Sequence, residues 1–180
     1  MKLDRATIEA ALSALSERLK AEGVTGEICI FGGAAMVLAF DAREATRDVD
    51  AVFFPAEIVR LAATGVAEEL SLPPHWLNDG VKDFVSANQD YVADGMPVDF
   101  SNLRVLRPSA EYLLAMKCMA ARVEGYDTQG DRGDVVFLVR HLGLHTTAEV
   151  LNVVVRYYPV ERLTAKTRFF VEEVMSELQS

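Results

Sequence analysis

Cysteine and histidine are scarce in this chain, which narrows the kinds of site it can build. Only Cys29 and Cys118 occur among the 180 residues, the first in an apolar run and the second in an apolar helical segment. Neither has a partner at zinc-ligand spacing, so we predict two buried thiols rather than a disulfide or a metal site. The three histidines, His75, His141 and His145, show no metal-ligand spacing, and we assign them no role.

Long apolar runs and an excess of positive charge are also missing. No apolar stretch approaches the roughly 18 residues that would span a bilayer, and the first residues, MKLDRATIEAALSAL, carry Asp and Glu where a signal peptide would be apolar. We therefore expect a cytoplasmic protein without a membrane segment. With 18 basic and 27 acidic residues the formal charge is −9. This charge argues against broad, nonspecific nucleic-acid binding but remains compatible with a local basic patch.

The rest of the composition is that of a globular protein with a substantial core. The content of 51% hydrophobic and 25% charged residues is ordinary for such a protein. A chain of 180 residues is long enough for one large domain, or for a domain with a helical appendage. It contains neither an internal repeat nor a low-complexity segment.

Strand and helix signals mix in the first part of the chain, whereas only helical signals follow Pro108. In the first part the patterns predict helices at 3–21, 34–40 and 55–70, a strand at 28–31, a second strand from about 48, and one or two strands within 91–105. In the second part they predict helices at 110–123, 131–141, 147–157 and 160–178, with a loop at 125–130. This order predicts an α/β (α+β) fold, with a small mixed sheet flanked by helices in residues 1–107 and a helical subdomain packed on it in residues 108–180.

Several local predictions are specific. The inward-facing residues of the first helix are predicted to be Ile8, Leu12, Leu15 and Leu19. Those of the helix at 55–70 are predicted to be Ile58, Leu61, Val66 and Leu70. The segment 75–90 is predicted to be a loop that holds a single helical turn, with Trp76 in a core or hinge role. Candidate strands within 91–105 are Met96–Phe100 and Leu103–Val105.

Two glycines and two aspartates form the candidate site. Gly32-Gly33 breaks the apolar run that ends at Phe31, and Asp48 and Asp50 flank Val49 on the next strand. Side chains alternate along a strand, so the two carboxylates point the same way with their Cα atoms roughly 6.5–7 Å apart. Because hard divalent cations prefer carboxylate oxygens, the pair predicts a cation site. A glycine turn that opens a helix lets backbone N–H groups approach a phosphate.

These residues resemble the signature of the nucleotidyltransferase superfamily, which has the DNA-polymerase-β-like fold. That pattern is an apolar residue, Gly-Gly or Gly-Ser, a spacer and then Asp-apolar-Asp/Glu. Fourteen residues separate Gly33 from Asp48 here, which makes the spacer long. The string Arg43…Thr46-Arg47-Asp48-Val49-Asp50 is similar to what uncharacterised bacterial members carry before their carboxylates.

A second match lies downstream. Lys117 on an apolar helix, followed by Arg122 and then by Asp131 and Asp134 in an Asp-x-x-Asp motif, resembles the later motifs of one branch of the superfamily. That branch includes the toxins of abortive-infection, type IV toxin–antitoxin systems and many relatives known only as nucleotidyltransferase-like. The resemblance spans roughly residues 28–144.

The resemblance implies a metal-dependent transfer of a nucleoside monophosphate from a nucleoside triphosphate to an acceptor, which would be a tRNA end, a protein side chain or a small molecule. It implies that Asp48 and Asp50 hold Mg²⁺ or Mn²⁺ and that Gly32 and Gly33 cradle the triphosphate. It also implies that Lys117 meets the triphosphate as a mobile charge. By the same resemblance, Asp131 and Asp134 belong to the nucleotide site, and the partner protein would be an antitoxin or a toxin.

The resemblance also implies a third carboxylate on a later strand. Asp99, in Pro97-Val98-Asp99-Phe100, fits that pattern and is our candidate for a third metal ligand. If the strand is instead Leu103–Val105, it has no acid, and the fold would be a catalytically degenerate module that binds nucleotides or proteins.

Each candidate residue also has a structural alternative. The two aspartates would be a solvated strand end, and the glycines a tight turn. Lys117 would extend its ammonium from an apolar helix to water, and Asp131 and Asp134 would complement a helix dipole, one of them paired with Arg122. A third function, a helical interaction protein, would use an apolar face made of Val153, Tyr157, Tyr158, Phe169 and Phe170.

Overall fold

The computed structural model of the protein describes residues 1–97, 99–121 and 128–179, without the side chains of 128–130 and 179. These residues form two compact units. The first contains Met1–Asp83 and Tyr91–Arg107, and the second contains Phe84–Asp90 and the described residues from Pro108 onward. The seam that the sequence indicates at residues 107–108 is one of three points where the chain passes from one unit to the other.

The first unit has three helices and two small sheets. Its helices are α1 (Arg5–Ala21), α2 (Gly32–Leu38) and α3 (Ala56–Glu69). Its strands are β1 (Leu3–Asp4), β2 (Gly26–Ile30), β3 (Ala45–Thr46), β4 (Val49–Phe54), β5 (Leu77–Asn78), β6 (Tyr91–Val92) and β7 (Leu103–Pro108). The main sheet has the order β5-β4-β2-β7-β6, with β2 antiparallel to β4 and parallel to β7, while β4 is parallel to β5. β1 and β3 form a separate antiparallel pair. The predicted α+β class is confirmed.

Helix α1 follows its predicted pattern. Its inward stripe is fully buried, as predicted, and consists of Ile8, Leu12, Leu15 and Leu19. The helix begins at Arg5 rather than at Leu3, because the Asp4 carboxylate accepts a hydrogen bond from the Thr7 N–H at 2.8 Å and caps the first turn. Leu3 and Asp4 pair with β3 instead.

Helix α3 buries a different stripe from the one predicted. Its buried residues are Val59, Ala63, Val66 and Ala67. Leu61 is 76% exposed and Leu70 is 36% exposed, so both predictions are wrong, while Ile58 is half-buried and only Val66 is buried as predicted. The residues at 59, 63, 66 and 67 keep helical spacing but include two alanines, which allow α3 to pack closely on α1. The predicted stripe of large residues therefore lies mostly off the buried face.

Two further segments differ from the predictions. Within 75–90 the expected helical turn is present as a 3₁₀ turn at Gly80–Phe84, but the short strand β5 precedes it. Trp76 is 1% exposed, which confirms its core role. The candidate strand Met96–Phe100 is not formed by its described residues, and β7 begins only at Leu103.

The second unit is helical. Its helices are α4 (Ala110–Ala120), α5 (Thr128–His141), α6 (Thr147–Tyr157) and α7 (Ala165–Gln179). α4 contacts the other three helices and is apolar on nearly all sides, which suits a central position. Ser109 caps α4, since its Oγ accepts a hydrogen bond from the Tyr112 N–H at 3.2 Å. The last predicted helix is instead a short 3₁₀ turn at Val160–Arg162 followed by α7.

The apolar face considered for partner binding is mostly core. Val153, Tyr158 and Phe170 are buried inside the second unit, whereas Phe169 is 64% exposed. Over the ranges that the structure describes, no helix has both the length and the apolar character required to cross a membrane.

Candidate functional site

The glycine turn and the second aspartate meet at one end of the β2–β4 pair. β2 ends at Ile30, and the Phe31 N–H donates to the Asp50 carbonyl oxygen at 2.8 Å, which continues the antiparallel ladder to the start of α2. Gly32 follows with φ +58°, and a Cβ added to it would lie 3.0 Å from Asp50 Oδ2. Gly32 thus has two independent reasons to lack a side chain: its left-handed backbone and the carboxylate that lies against it.

Asp48 and Asp50 flank the core residue Val49, which is fully buried. Both carboxylates are half-buried, and they lie on the face of β4 opposite the core. Asp48 accepts a hydrogen bond from Asn78 Nδ2 at 3.2 Å. The Asp50 side chain has no hydrogen-bond or ion-pair partner among the residues that the structure describes. The Asp48 carboxylate is therefore oriented by the protein, whereas the Asp50 carboxylate keeps its full capacity to accept hydrogen bonds or to bind a cation.

Gly33 lies against the connection between α2 and β4. A Cβ at Gly33 would be 2.6 Å from Thr46 Oγ1 and 3.2 Å from Arg43 Nη1. Both glycines are therefore positions of close approach rather than a tight turn alone. Together with Thr46 and Arg43 they place a hydroxyl and a guanidinium next to the start of α2.

The first turn of α2 presents backbone donors. The first N–H groups of a helix have no acceptor within the helix itself, and Phe31, the residue that precedes α2, supplies no side-chain acceptor. Gly32, the first residue of this turn, lies against the Asp50 carboxylate. This arrangement suits an anionic ligand that binds together with a cation. The anion would contact the N–H donors, and the cation would contact the carboxylates.

Asp99 is not brought to this site as a strand residue. It is exposed and lies outside the strands, four residues before β7. Among the described residues, no group of three or more histidine, cysteine, aspartate or glutamate side chains is arranged to hold a metal ion. The predicted strand that would have carried Asp99 is not formed by its described residues, and mutagenesis is the test of Asp99 as a third metal ligand.

The strand that does occupy the expected place is β7, and it has no acid. It pairs with β2 on the side opposite β4, with Glu27 opposite Arg104 and Cys29 opposite Leu106. Glu27 and Arg104 form an ion pair at 2.9 Å, which confirms that they share a face. Because Cys29 is opposite Val52 of β4, that face is also the face of Asp50. On this face β7 therefore carries Arg104 and Leu106, and of these two Leu106 is the nearer to Asp50 in register.

Lys117, Asp131 and Asp134 are brought together in the second unit. Lys117 Nζ lies 2.9 Å from Asp131 Oδ1 and 2.7 Å from Asp134 Oδ2. The Lys117 side chain is 10% exposed and that of Asp134 is 3% exposed, so this is a largely buried ion triad with one excess negative charge. Asp131 and Asp134 are one helical turn apart on α5, which explains why both reach the same ammonium. Lys117 is thus held by two carboxylates and does not extend to water; Arg122 lies outside the described residues.

The two thiols are buried and inert. Burial raises the pKa of Cys29, with a smaller contribution from the nearby Glu27 carboxylate, and burial raises the pKa of Cys118 to about 12. Both cysteines are free, and the prediction of buried thiols is confirmed. Since the thiolate is the reactive form, neither cysteine contributes a nucleophile at neutral pH.

The donor set at the strand end fits a magnesium or manganese ion that is bound together with phosphates. Mg²⁺ is typically held by one or two protein carboxylates plus substrate phosphate oxygens rather than by a complete protein cage. Asp48 and Asp50 supply two carboxylates on one face, and the space that a Cβ of Gly32 would fill is kept open beside Asp50 Oδ2. The residues therefore match an ion shared with a phosphorylated ligand.

Asn78, Thr46 and Arg43 are the polar neighbours that sequence reasoning did not assign. Thr46 and Arg43 stood within the string that resembles the superfamily, so a signal for them existed. Asn78 had none, because it is placed beside Asp50 by the register of a two-residue strand. So short a strand has no periodicity from which pairing can be inferred.

Comparison with known families identifies a family model that matches the chain. The model of a family described as "Nucleotidyltransferase of unknown function (DUF6036)" matches residues 7–136. This range includes both glycines, Lys117 and all five candidate aspartates, Asp48, Asp50, Asp99, Asp131 and Asp134. No curated protein and no solved structure matches the chain. The match covers well over half of the residues, and the chain belongs to this nucleotidyltransferase family.

Proposed function

We propose that the protein is a divalent-metal-dependent nucleotidyltransferase that moves a nucleoside monophosphate from a nucleoside triphosphate to an acceptor. The observation that carries the proposal is the position of Gly32 against Asp50, since a Cβ added to Gly32 would lie only 3.0 Å from Asp50 Oδ2. This closeness of a helix-opening glycine to a carboxylate supports the proposal, because nucleotidyl transfer needs a phosphate and a cation to be bound side by side.

The reaction is a substitution at the α-phosphorus. A bond forms between the acceptor oxygen and the α-phosphorus, and the bond from that phosphorus to the bridging oxygen breaks. Pyrophosphate leaves with the electron pair, and the acceptor proton is released to water. A bound divalent cation supplies stabilisation of the negative charge that builds on the attacking and leaving oxygens.

The chain's own residues bind and orient the triphosphate. Asp48 and Asp50 hold the cation, Asp48 with its carboxylate already oriented by Asn78. The N–H groups at Gly32 and Gly33 donate hydrogen bonds to phosphate oxygens. Lys117 is proposed, from the sequence resemblance, to contact the nucleotide phosphates, and its ammonium pairs with Asp131 and Asp134.

A second candidate function is a module that binds a metal–nucleotide complex without turnover. The absence of an acid from the sequence of β7, LRVLRP, favours it, because an active superfamily member is expected to carry a third carboxylate on such a strand. The two functions share the binding step and differ in group transfer.

The experiment has two stages. Calorimetry with magnesium and each of the four nucleoside triphosphates, on the wild type and on D48A/D50A, tests the binding site and identifies the base. Magnesium-dependent binding that the double variant loses supports the site, and no binding to well-folded wild type overturns it. Incubation with α-labelled nucleotide and cell extract then separates the enzyme, which labels a tRNA, protein or small molecule, from the binding module, which labels nothing.

A toxin role is the finer proposal, and it is supported only by the sequence resemblance. Expression of the wild type should then arrest growth, whereas D50N should not. A co-expressed partner protein from the same locus should relieve the arrest. Normal growth at matched protein levels would contradict the toxin role without affecting the proposed reaction.

A further inference from the structure

Asn78 lies beside both candidate metal ligands. In the parallel pairing of β4 with β5, Asn78 is opposite Asp50 and Leu77 is opposite Val49. Val49 and Leu77 are buried, so Asp50 and Asn78 share the other face of the sheet. Asn78 Nδ2 donates to Asp48 Oδ2 at 3.2 Å. One amide thus neighbours Asp50 in register and contacts Asp48 directly.

The orientation of this amide is fixed by a second hydrogen bond. The Gly80 N–H donates to Asn78 Oδ1 at 3.0 Å, which closes a turn of the kind that Asn and Asp side chains form. The amide oxygen is therefore engaged, and the NH₂ group faces the Asp48 carboxylate. An ionised carboxylate only accepts hydrogen bonds, so it needs a donor such as this NH₂ group to be oriented.

The segment that carries Asn78 is anchored on both sides. The Trp76 indole N–H donates to the Ala63 carbonyl oxygen at 3.0 Å, and the Trp76 carbonyl oxygen accepts the Val49 N–H at 2.6 Å. On the other side, Asp79 forms an ion pair with Arg60 at 2.7 Å. Asn78 is thus held between a buried tryptophan and an ion pair to α3. Moving its amide away from Asp48 would therefore be costly.

We infer that Asn78 is a positioning residue that holds the Asp48 carboxylate in the orientation that a divalent cation requires. The site would then consist of two carboxylates and one oriented amide, with the polar support coming from β5 rather than from an acid on β7. This inference rests on the proposed function, because it concerns the cation of that site. A group that orients a metal ligand in this way typically contributes about 10- to 100-fold to metal affinity.

The test measures Mn²⁺ binding to the metal-free full-length chain by electron paramagnetic resonance, without nucleotide or turnover. D48N/D50N defines the background from other acidic groups. Relative to wild type, N78A should raise the dissociation constant for Mn²⁺ by about 10-fold or more. N78S is the second variant, because its hydroxyl still accepts the Gly80 N–H but is too short to reach Asp48; it should show the same loss. N102A is the matched control, since Asn102 also bonds backbone groups of the first unit but touches neither aspartate.

A double-mutant cycle separates positioning from a general effect on the fold. In the D48N background, N78A should cause no further loss of affinity, because the carboxylate on which it acts is gone. Equal losses from N78A in both backgrounds would overturn the inference, as would wild-type affinity in N78A and N78S. If wild-type protein binds no more Mn²⁺ than D48N/D50N, both the proposed function and this inference are overturned. If wild-type protein binds Mn²⁺ above that background and the Asn78 variants bind it equally well, only the inference is overturned.

Discussion

Gly32 and Asp50 are in contact at the end of the β2–β4 pair, with the Asp50 Oδ2 atom 3.0 Å from the position that a Gly32 Cβ would occupy. Few contacts of an L side chain are that short, so a larger residue at position 32 displaces the carboxylate. The position of the Asp50 carboxylate therefore depends on the glycine at position 32. Their contact links the backbone of a turn to the orientation of a metal ligand.

The first prediction is that G32A weakens metal–nucleotide binding more than its stability loss explains. An alanine at φ +58° costs about 1–2 kcal/mol of stability. In addition, its methyl group forces the Asp50 carboxylate to move. We expect magnesium–triphosphate affinity to fall by about 10-fold or more, measured by calorimetry at a temperature where both proteins are folded.

G23A is the matched control for this prediction. Gly23 also has a positive φ, +68°, but a Cβ there would have no atom within 4 Å. G23A should therefore show a similar loss of thermal stability and unchanged affinity. If both variants lose affinity equally, backbone strain rather than the contact with Asp50 is responsible.

Site residues that lie close together along the chain could be predicted from the sequence. A site residue that reaches the site only through strand pairing could not. Gly32-Gly33 follows one strand and Asp48-Val49-Asp50 opens its neighbour, so their meeting follows from a simple strand–helix–strand path. Asn78 reaches the same place only through the pairing of a two-residue strand. No property of the residues around position 78 specifies that pairing.

The helices show the same limit. The stripe of α1 is made of large residues and is evident from spacing, whereas α3 turns two alanines inward and leaves Leu61 76% exposed. Which face of a helix is buried depends on the shape of its neighbour, and the chain's own periodicity does not contain that shape. For the same reason, the spacing of Asp131 and Asp134 shows a shared face but not that Lys117 is their common partner.

The second prediction concerns the two carboxylates themselves. D50N and D48N each keep the shape of the side chain but replace an anionic ligand with a neutral one. We expect each to weaken magnesium–triphosphate binding by more than about 100-fold, since the loss of a ligand exceeds that of a supporting group. D41N is the control, because Asp41 is exposed and its positive φ of 51° suits asparagine equally well. Unchanged binding in D50N would place the cation elsewhere.

The third prediction distinguishes a two-carboxylate site from a three-carboxylate site. Asp99 is exposed and lies outside the strands, and the described residues include no group of three or more His, Cys, Asp or Glu side chains that could hold a metal ion. We therefore expect D99N to keep magnesium–triphosphate affinity within about twofold of wild type, since surface substitutions away from a site rarely change free energies by more than about 0.5 kcal/mol. A loss as large as that of D50N would establish Asp99 as the third ligand and favour the active enzyme over the binding module.

The fourth prediction separates the structural role of Lys117 from its proposed role with phosphate. K117M removes the cation from the carboxylate of Asp134, which is 3% exposed, and should lower the free energy of unfolding by about 3 kcal/mol. K117M/D134M replaces the pair with apolar side chains and should recover most of that loss, because apolar replacement of a buried ion pair is often neutral. K166M, at an exposed lysine of α7, should change neither stability nor binding.

We expect K117M/D134M to be stable in chemical denaturation and still to bind magnesium–triphosphate at least 10-fold more weakly than wild type. Full recovery of binding together with stability would show that the triad supports only the fold.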